Sequence, residues 1–201
     1  MLCQGDPVQE DVALPGLHPL LATRWSPTSF DLSHDVEPAE VALLLEAARW
    51  APSAGNSQPW AFIVGRRGSS SHQRLVRRLA GSSARWAPSA SLLVVNLAHR
   101  YVKDSEWQYS EFSQYDLGQA VAHMTLQAQG LGLAIRQFRA FDRPGLAAEF
   151  DVPPHWEVTT MSAIGRALPP AGEQPAGVSG ARAARAGRER RTLDEIVWPH
   201  A

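Results

Sequence analysis

Residues 47–64 join the end of a helical pattern to a strand pattern through a short loop of small, hydroxyl and amide side chains. Upstream, apolar residues recur at helical spacing, and Pro52 ends the helix because its ring nitrogen cannot donate a backbone hydrogen bond. Downstream, every residue of Trp60–Val64 is apolar, which is typical of a strand buried on both faces. A loop such as Ser53–Gln58 lets backbone approach a flat polar ligand, although an ordinary polar turn has the same spacing.

The order of the remaining patterns predicts an α+β domain between two terminal arms. We expect helices near residues 17–23, 37–51, 73–79, 115–131 and 143–150, strands at 60–64, 90–97, 133–138 and 156–164, and loops at 66–71 and 99–113. Residues 1–15 lack periodicity and are predicted to be a flexible or partner-docked arm. Residues 16–167 form the predicted domain, and residues 168–201 form a C-terminal arm that completes the fold or a dimer. Within this arm, residues 168–187 are rich in Pro, Gly and Ala and are either disordered or wrapped around a neighbour.

Composition limits the classes of partner. The chain has 201 residues, enough for one domain, with 19 basic and 20 acidic residues. This near-neutral balance argues against nucleic acid or a membrane surface as partner. The single cysteine, Cys3, fits a reducing compartment, and the first residues do not resemble a signal peptide. No run of about 18 apolar residues occurs, so we expect a cytoplasmic protein without a spanning helix.

Five segments, in order along the chain, resemble one protein family. Residues 52–60, PSAGNSQPW, resemble the PSxxNxQPW signature of the nitroreductase family of FMN-dependent oxidoreductases. Residues 24–30 resemble the opening R-x-S-x-R-x-F, and residues 115–132 resemble the D-x-G-x-A helix that ends in GLG. Residues 141–165 and 190–197 resemble the third quarter of the family and its closing RRPL-x-E-I-V. The resemblance covers roughly residues 20–198.

The resemblance implies a nitroreductase-like fold with a central mixed or antiparallel sheet, flanking helices and terminal arms that embrace the partner in a homodimer. It also implies FMN at the dimer interface, with NADH or NADPH as reductant. A nitroaromatic, a quinone or an activated alkene would be the acceptor in a ping-pong mechanism. Two alternatives stay open: a flavin-dependent dehydrogenase or oxidase of a biosynthetic substrate, and a non-catalytic flavin-binding protein. Flavin carries the electron transfer itself, so the implied site needs no catalytic side chain and no metal.

The resemblance also implies which residues contact FMN. The opening segment would contact the phosphate, the ribityl chain or the pyrimidine edge, and the loop before Trp60, from the other chain, would line the ring. The implied cofactor-binding residues are Arg24, Trp25, Ser26, Ser53, Ala54, Asn56, Gln137, Phe138, Arg139, Arg188 and Arg190. Without the resemblance, Arg24 is explained as a cation at a helix C-terminus, where the helix dipole favours positive charge.

Residues 99–113 combine aromatic and charged side chains in a loop long enough to cover a site. The predicted substrate-contacting residues are Trp107, Tyr109, Phe112 and Arg136. The three aromatic residues either stack on a flat substrate or pack at a subunit contact, and the sequence leaves both open.

The chain departs from the family pattern in three places. Thr28 stands where a second basic residue is usual, so Arg136 or Arg139 would have to supply the cation near the flavin. Arg139 replaces one of a pair of small residues before Phe141, where it would select an anionic substrate or narrow the site. Thr192 replaces the proline of the closing motif.

Overall fold

The computed structural model describes residues 15–168 and 190–198. The helices are α1 (Pro19–Thr23), α2 (Pro38–Arg49), α3 (Ser70–Arg77), α4 (Gly81–Ala84), α5 (Ser113–Gly130), α6 (Arg143–Glu149) and α7 (Leu193–Ile196). The strands are β1 (Trp60–Arg66), β2 (Leu92–His99), β3 (Ala134–Phe138) and β4 (Trp156–Gly165), and short 3₁₀ turns occupy Ala54–Asn56 and Ala87–Ser89. The predicted α+β class is confirmed.

The four strands form one sheet in the order β1-β2-β4-β3, and each neighbouring pair is antiparallel. Of the mixed and antiparallel sheets that were expected, the described strands therefore form the antiparallel one. Val94 lies opposite both Val64 and Ser162, and Ser162 lies opposite Gln137. Strands β1 and β3 are the two edges of this sheet.

Helices cover both faces of the sheet. On one face, α2 and α5 pack through Leu44 and Met124 in the cluster that contains Val94. On the other face, α3 and α6 pack through Leu75 and Leu146 in a second cluster. Burial on both faces explains why β2 is apolar at nearly every position.

Several local features of the structure differ from the sequence prediction. Helix α3 begins at Ser70, three residues earlier than expected, because the Ser69 side chain accepts a hydrogen bond from the His72 amide and caps the helix. The 99–113 segment is partly paired, since Tyr101 bridges to Gln108 and the Val102 amide donates to the Trp107 carbonyl at 2.8 Å. Helix α4 was not predicted, because four residues carry no periodic pattern.

Most of the two predicted arms, residues 1–14, 169–189 and 199–201, lies outside the described residues. Within the described C-terminal segment, Thr192 and Glu195 form a capping box at the start of α7. Among residues 15–168 and 190–198, no helix is long and apolar enough to cross a membrane. The same residues contain no group of three or more histidine, cysteine or acidic side chains arranged to hold a metal ion.

Candidate functional site

The loop Ser53–Gln58, which we call the amide loop, has an unusual backbone. Gly55, Asn56 and Gln58 have φ angles of 57°, 54° and 47°, in the left-handed region. Glycine adopts this region freely and asparagine tolerates it, whereas a residue such as Gln58 loses about 1–2 kcal/mol there. The Ser53 hydroxyl accepts a hydrogen bond from the Gln58 amide at 3.0 Å, and Gln58 Nε2 donates to Asn56 Oδ1 at 3.2 Å. These bonds close the loop and leave Ala54, Gly55 and Asn56 exposed.

Two other parts of the chain hold the amide loop from outside. Asp116, in the first turn of α5, accepts a hydrogen bond from the Ala54 amide at 3.1 Å through Oδ2. The Tyr109 hydroxyl donates to the Ser57 carbonyl at 3.2 Å. Sequence patterns place Asp116 at a helix start, where a carboxylate meets exposed amides, but not against an amide from a distant part of the chain.

The segment Arg24–Ser26 follows α1. Gln129, near the end of α5, donates to the Thr23 hydroxyl at 3.1 Å and fixes the end of α1. Arg24 Nη1 donates to the Ser26 hydroxyl at 3.4 Å, so a guanidinium and a hydroxyl, both able to donate to an anion, lie side by side. Trp25, between them, is half-buried.

Arg136 contacts this segment directly. Its Nη1 donates to the Ser26 carbonyl at 2.8 Å, and its guanidinium lies 5.3 Å from the centroid of the Trp86 ring. The side chain predicted to meet a substrate therefore also braces the segment predicted to meet the cofactor. Sequence spacing gave no sign of this contact, because Trp86 and Ser26 lie far from Arg136 along the chain.

The end of β3 exposes backbone groups and one positively charged side chain, Arg139, to solvent. Gln137 and Arg139 are exposed, and among the described strands β3 pairs with β4 alone, so its other edge is open. The Phe138 ring packs edge-on against Trp86 at 5.0 Å between ring centroids, and against Phe141 at 6.0 Å. Because the ring is engaged in the core, Phe138 can offer a ligand mainly its backbone.

Of the three aromatic residues predicted to meet a substrate, Tyr109 reaches the amide loop. Phe112 directly precedes α5, and its carbonyl accepts from the Asp116 amide at 2.8 Å, so it lies close to the same end of that helix. Trp107 is 80% exposed and belongs to the paired part of the 99–113 segment.

His99 is the centre of a stack that supports Tyr109. Its ring lies 3.8 Å from the Tyr109 ring on one side and 4.6 Å from the Trp156 ring on the other, measured between centroids. Burial lowers the pKa of His99, and the neighbouring His155 lowers it further, against the opposing effect of a backbone hydrogen bond at Tyr101. Its Nε2 is buried and has no hydrogen-bond partner among the described residues. The neutral imidazole is therefore the form that fits this stack.

The predicted cofactor residues fall into groups at the two ends of α5. Asp116 contacts the amide loop near the first turn, and Gln129 contacts α1 at the last turn. At the helical rise of 1.5 Å per residue, these two contacts are roughly 20 Å apart along the axis. Within one chain, the amide loop and Arg24–Ser26 are too far apart to line the same part of one ligand. Arg190 is exposed in the C-terminal segment, and Arg188 lies outside the described residues.

Residues 21–90 match the model of the nitroreductase family. A crystal structure described as an oxidoreductase containing FMN is 25% identical, covers 96% of this chain and 94% of its own, and superposes with a TM-score of 0.79. The chain is nitroreductase-like in sequence and in fold. A nitroreductase family protein from Clostridium difficile 630 is 23% identical over 90% of this chain and 96% of its own, with a TM-score of 0.68.

An FMN-dependent nitroreductase from Clostridium difficile R20291 also shares the fold, at 22% identity, 74% coverage of this chain, 86% coverage of its own and a TM-score of 0.62. The nitroreductase-like fold expected from five short motifs is thus confirmed. The matched family segment, residues 21–90, contains both Arg24–Ser26 and the amide loop of this nitroreductase-like chain.

Proposed function

We propose that this chain is an FMN-dependent oxidoreductase of the cytoplasm. In this proposal it takes electrons from NADH or NADPH and passes them to a small organic acceptor, such as a nitroaromatic, a quinone or an activated alkene, by a ping-pong mechanism. The observation that carries the proposal is the amide loop: it is exposed, closed by its own hydrogen bonds and anchored from outside, in a fold shared with solved FMN oxidoreductases.

The residues present fit FMN. The Ala54–Asn56 backbone and the Asn56 side chain offer exposed donors and acceptors to a flat polar ring. The Ser57 hydroxyl is buried and has no partner among the described residues, which leaves one polar group of the loop for a ligand. Arg24 and Ser26 suit a phosphate, because a guanidinium forms paired, charge-assisted hydrogen bonds. Bound flavin would supply the hydride and electron transfer.

The positions of these groups favour a site built from two chains. Since the amide loop and Arg24–Ser26 lie at opposite ends of α5, an antiparallel pair of α5 helices would bring the loop of one protomer to the arginine of its partner. Gly118 and Ala122 are exposed on α5, four residues apart and therefore on one side of the helix. Small residues allow two helices to approach closely. We therefore propose a homodimer with two equivalent sites.

In this site the protein would orient the ring and balance its charge. The open edge of β3 at Gln137–Arg139 would place backbone groups at one side of the ring. Arg139 is exposed, whereas Arg136 is engaged with Ser26 and Trp86, so Arg139 is the better candidate for the cation that Thr28 does not provide. A fixed positive charge stabilises the negative charge that develops on a reduced ring.

The first test is cofactor binding. Purified protein, as isolated or after incubation with FMN and removal of the unbound cofactor, is expected to be yellow and to lose its flavin absorbance when NADH or NADPH is added without oxygen. Arg24→Ala should weaken FMN binding at least about tenfold, because a hydrogen bond to a charged group is worth about 1.5–3 kcal/mol and 1.4 kcal/mol is a factor of ten. Asn56→Ala removes a hydrogen bond between neutral groups, worth about 0.5–1.5 kcal/mol, and should weaken binding about two- to tenfold. Arg85→Ala is the control, because it removes an exposed arginine that is not among the predicted cofactor-binding or substrate-contacting residues. Protein that is colourless after incubation with FMN and removal of the unbound cofactor would refute the proposal.

A second candidate is a flavin-dependent dehydrogenase or oxidase, in which a biosynthetic substrate reduces the flavin and oxygen reoxidises it. Oxygen consumption with a panel of substrates, measured with and without NAD(P)H, distinguishes this candidate from the NAD(P)H-dependent oxidoreductase, because only the dehydrogenase or oxidase would consume oxygen without NAD(P)H. A non-catalytic flavin-binding protein would need Arg139 to block the ring, because Arg136 is already engaged. Arg139→Ala should then create turnover where the wild type has none.

A further inference from the structure

We propose that Asp116 is a positioning residue for the cofactor site: its buried carboxylate holds the amide loop in its binding conformation without touching the ligand. This inference rests on the proposed function, since it assigns to Asp116 a role in the affinity for FMN. The order of the amide loop in the absence of a ligand also depends on this carboxylate and can be measured directly.

The geometry singles out Asp116 among the acidic residues described. The residue is 2% exposed, although it lies in the first turn of a helix, where acidic side chains usually face solvent. One carboxylate oxygen, Oδ2, accepts from the Ala54 amide at 3.1 Å, and the other, Oδ1, accepts from Gln119 Nε2 at 3.5 Å. Gln119 is one turn further along α5, so this second contact fixes the rotation of the carboxylate. The carboxylate therefore joins α5 to the first residue of the 3₁₀ turn Ala54–Asn56.

The amide loop needs such a support. It contains two non-glycine residues in the left-handed region, Asn56 and Gln58, and strained backbone of this kind persists only where surrounding contacts fix it. The Ala54 amide begins the 3₁₀ turn and has no carbonyl of that turn to bond with. Without Asp116 this donor would lose its partner, and the loop would gain freedom at its first residue.

This role predicts a particular pattern of effects. A loop that is ordered before the ligand arrives loses less conformational freedom on binding, so anchoring raises affinity. The ring chemistry at saturating FMN should not depend on Asp116, because both carboxylate oxygens are engaged by groups of the protein itself, the Ala54 amide and Gln119 Nε2. A residue that acts only by positioning thus changes the dissociation constant for FMN and leaves the rate of NAD(P)H oxidation by the loaded enzyme nearly unchanged.

Two variants with side chains of similar size distinguish the loss of the hydrogen-bond acceptor at position 116 from a change in side-chain volume. Asp116→Asn keeps an oxygen that can accept from Ala54, and Asp116→Leu removes both oxygens. We expect Asp116→Leu to weaken FMN binding at least about tenfold in a fluorescence titration, and Asp116→Asn to stay within about threefold of wild type. Asp151→Asn is the control: Asp151 is an exposed carboxylate beyond α6, and asparagine tolerates its φ of 50°.

Rescue by asparagine is the result that a general loss of stability would not produce. Equal losses in Asp116→Asn and Asp116→Leu, or no loss in either, would overturn the inference. If Asp116→Leu does not fold, hydrogen exchange of the Ala54 amide in wild-type protein decides: slow exchange without FMN supports the inference, and exchange at the rate of an unprotected amide overturns it. A wild type that never binds FMN refutes the proposed function instead, whereas the exchange result stands independently.

Discussion

At the scale of single residues, His99, which supports Tyr109 of the candidate site, should make the stability of the protein depend on pH. Its pKa is lowered chiefly by burial, so the folded state binds fewer protons at this position than the unfolded chain, whose histidines titrate near about 6.5. The stabilising contribution of neutral His99 should therefore be complete above about pH 6.5, and the free energy of unfolding should fall as pH decreases toward the lowered pKa. His99→Phe keeps a ring between Tyr109 and Trp156 but cannot titrate.

Urea unfolding of wild type and His99→Phe between pH 5 and 8 tests this prediction. We expect the free energy of unfolding of the wild type to fall more steeply below pH 6.5, with a difference in slope of at most about 1.4 kcal/mol per pH unit. His72, which is also buried with a lowered pKa, contributes equally to both proteins and cancels in the comparison. If the free energy of unfolding changes with pH in the same way in both proteins, His99 is not the source of the pH dependence.

The residue scale also shows where sequence reasoning stops. The small, hydroxyl and amide side chains of the amide loop drew attention to it, and the resemblance gave it a function. Its left-handed backbone at Gly55, Asn56 and Gln58 was not predicted, although glycine and asparagine are the residue types that tolerate this conformation best. The contacts that hold the loop, from Asp116 and Tyr109, join residues distant in the chain, and no local pattern encodes them. For the same reason, Arg136 could be predicted to be near the site but not to bond to Ser26.

At the scale of elements, the close approach of β1 to α3 depends on Gly65. A Cβ atom at this position would lie 2.9 Å from the His72 backbone and 2.9 Å from Leu75 Cδ1. Gly65→Ala should destabilise the protein by about 1–3 kcal/mol, because the backbone of α3 would have to move. Gly81→Ala is the matched control, since nothing lies within 4 Å of a Cβ there. Equal unfolding midpoints for the two variants would show that α3 can shift freely.

Helices α3 and α6 are joined by a cluster of charges. Glu149 Oε2 lies 2.7 Å from Arg78 Nη2, Glu149 Oε1 lies 3.0 Å from Arg74 Nε, and Arg77 is 3.3 Å away. The hydrogen bonds from Arg78 and Arg74 lower the pKa of Glu149 to about 2. Its contribution to stability is therefore present above its unfolded pKa and lost as pH falls from about 4.5 toward 2.

Glu149→Gln should lower the melting temperature at pH 7, because three arginines would then repel one another without a carboxylate between them. The melting temperatures of wild type and variant should converge near pH 2, which thermal unfolding followed by circular dichroism can measure. A difference that does not change with pH would show that packing of the side chain, rather than its charge, matters.

The long elements were predictable, and the short ones were not. Apolar periodicity over many residues located α5 within two residues at each end and found all four strands. Helix α4 and the pairing inside residues 99–113 depend on individual hydrogen bonds, which leave no repeating signal in the sequence. Boundaries such as the start of α3 depend on one capping side chain, Ser69.

At the scale of the whole molecule, the proposed function requires two chains, because one chain separates its two groups of cofactor residues along α5. A chain of 21.9 kDa should therefore have the mass of a dimer in sedimentation equilibrium. Ala122→Arg places a long charged side chain on the exposed side of α5, beside Gly118, where two helices would meet. We expect this variant to be largely monomeric and to lose FMN binding together with dimerisation.

Ala148→Arg is the control for this experiment, because Ala148 is also exposed but lies on α6, on the opposite face of the sheet. It should remain a dimer and keep its affinity for FMN. If Ala122→Arg becomes monomeric yet binds FMN as tightly as wild type, the site is contained in one chain and the two-chain proposal is wrong. If Ala122→Arg remains a dimer with normal affinity, the subunits meet through a different surface, and α5 is not the shared helix. The joint loss of dimer and cofactor is the outcome that ties the position of α5 to the chemistry, because it requires the amide loop and Arg24 to serve one ligand from two protomers.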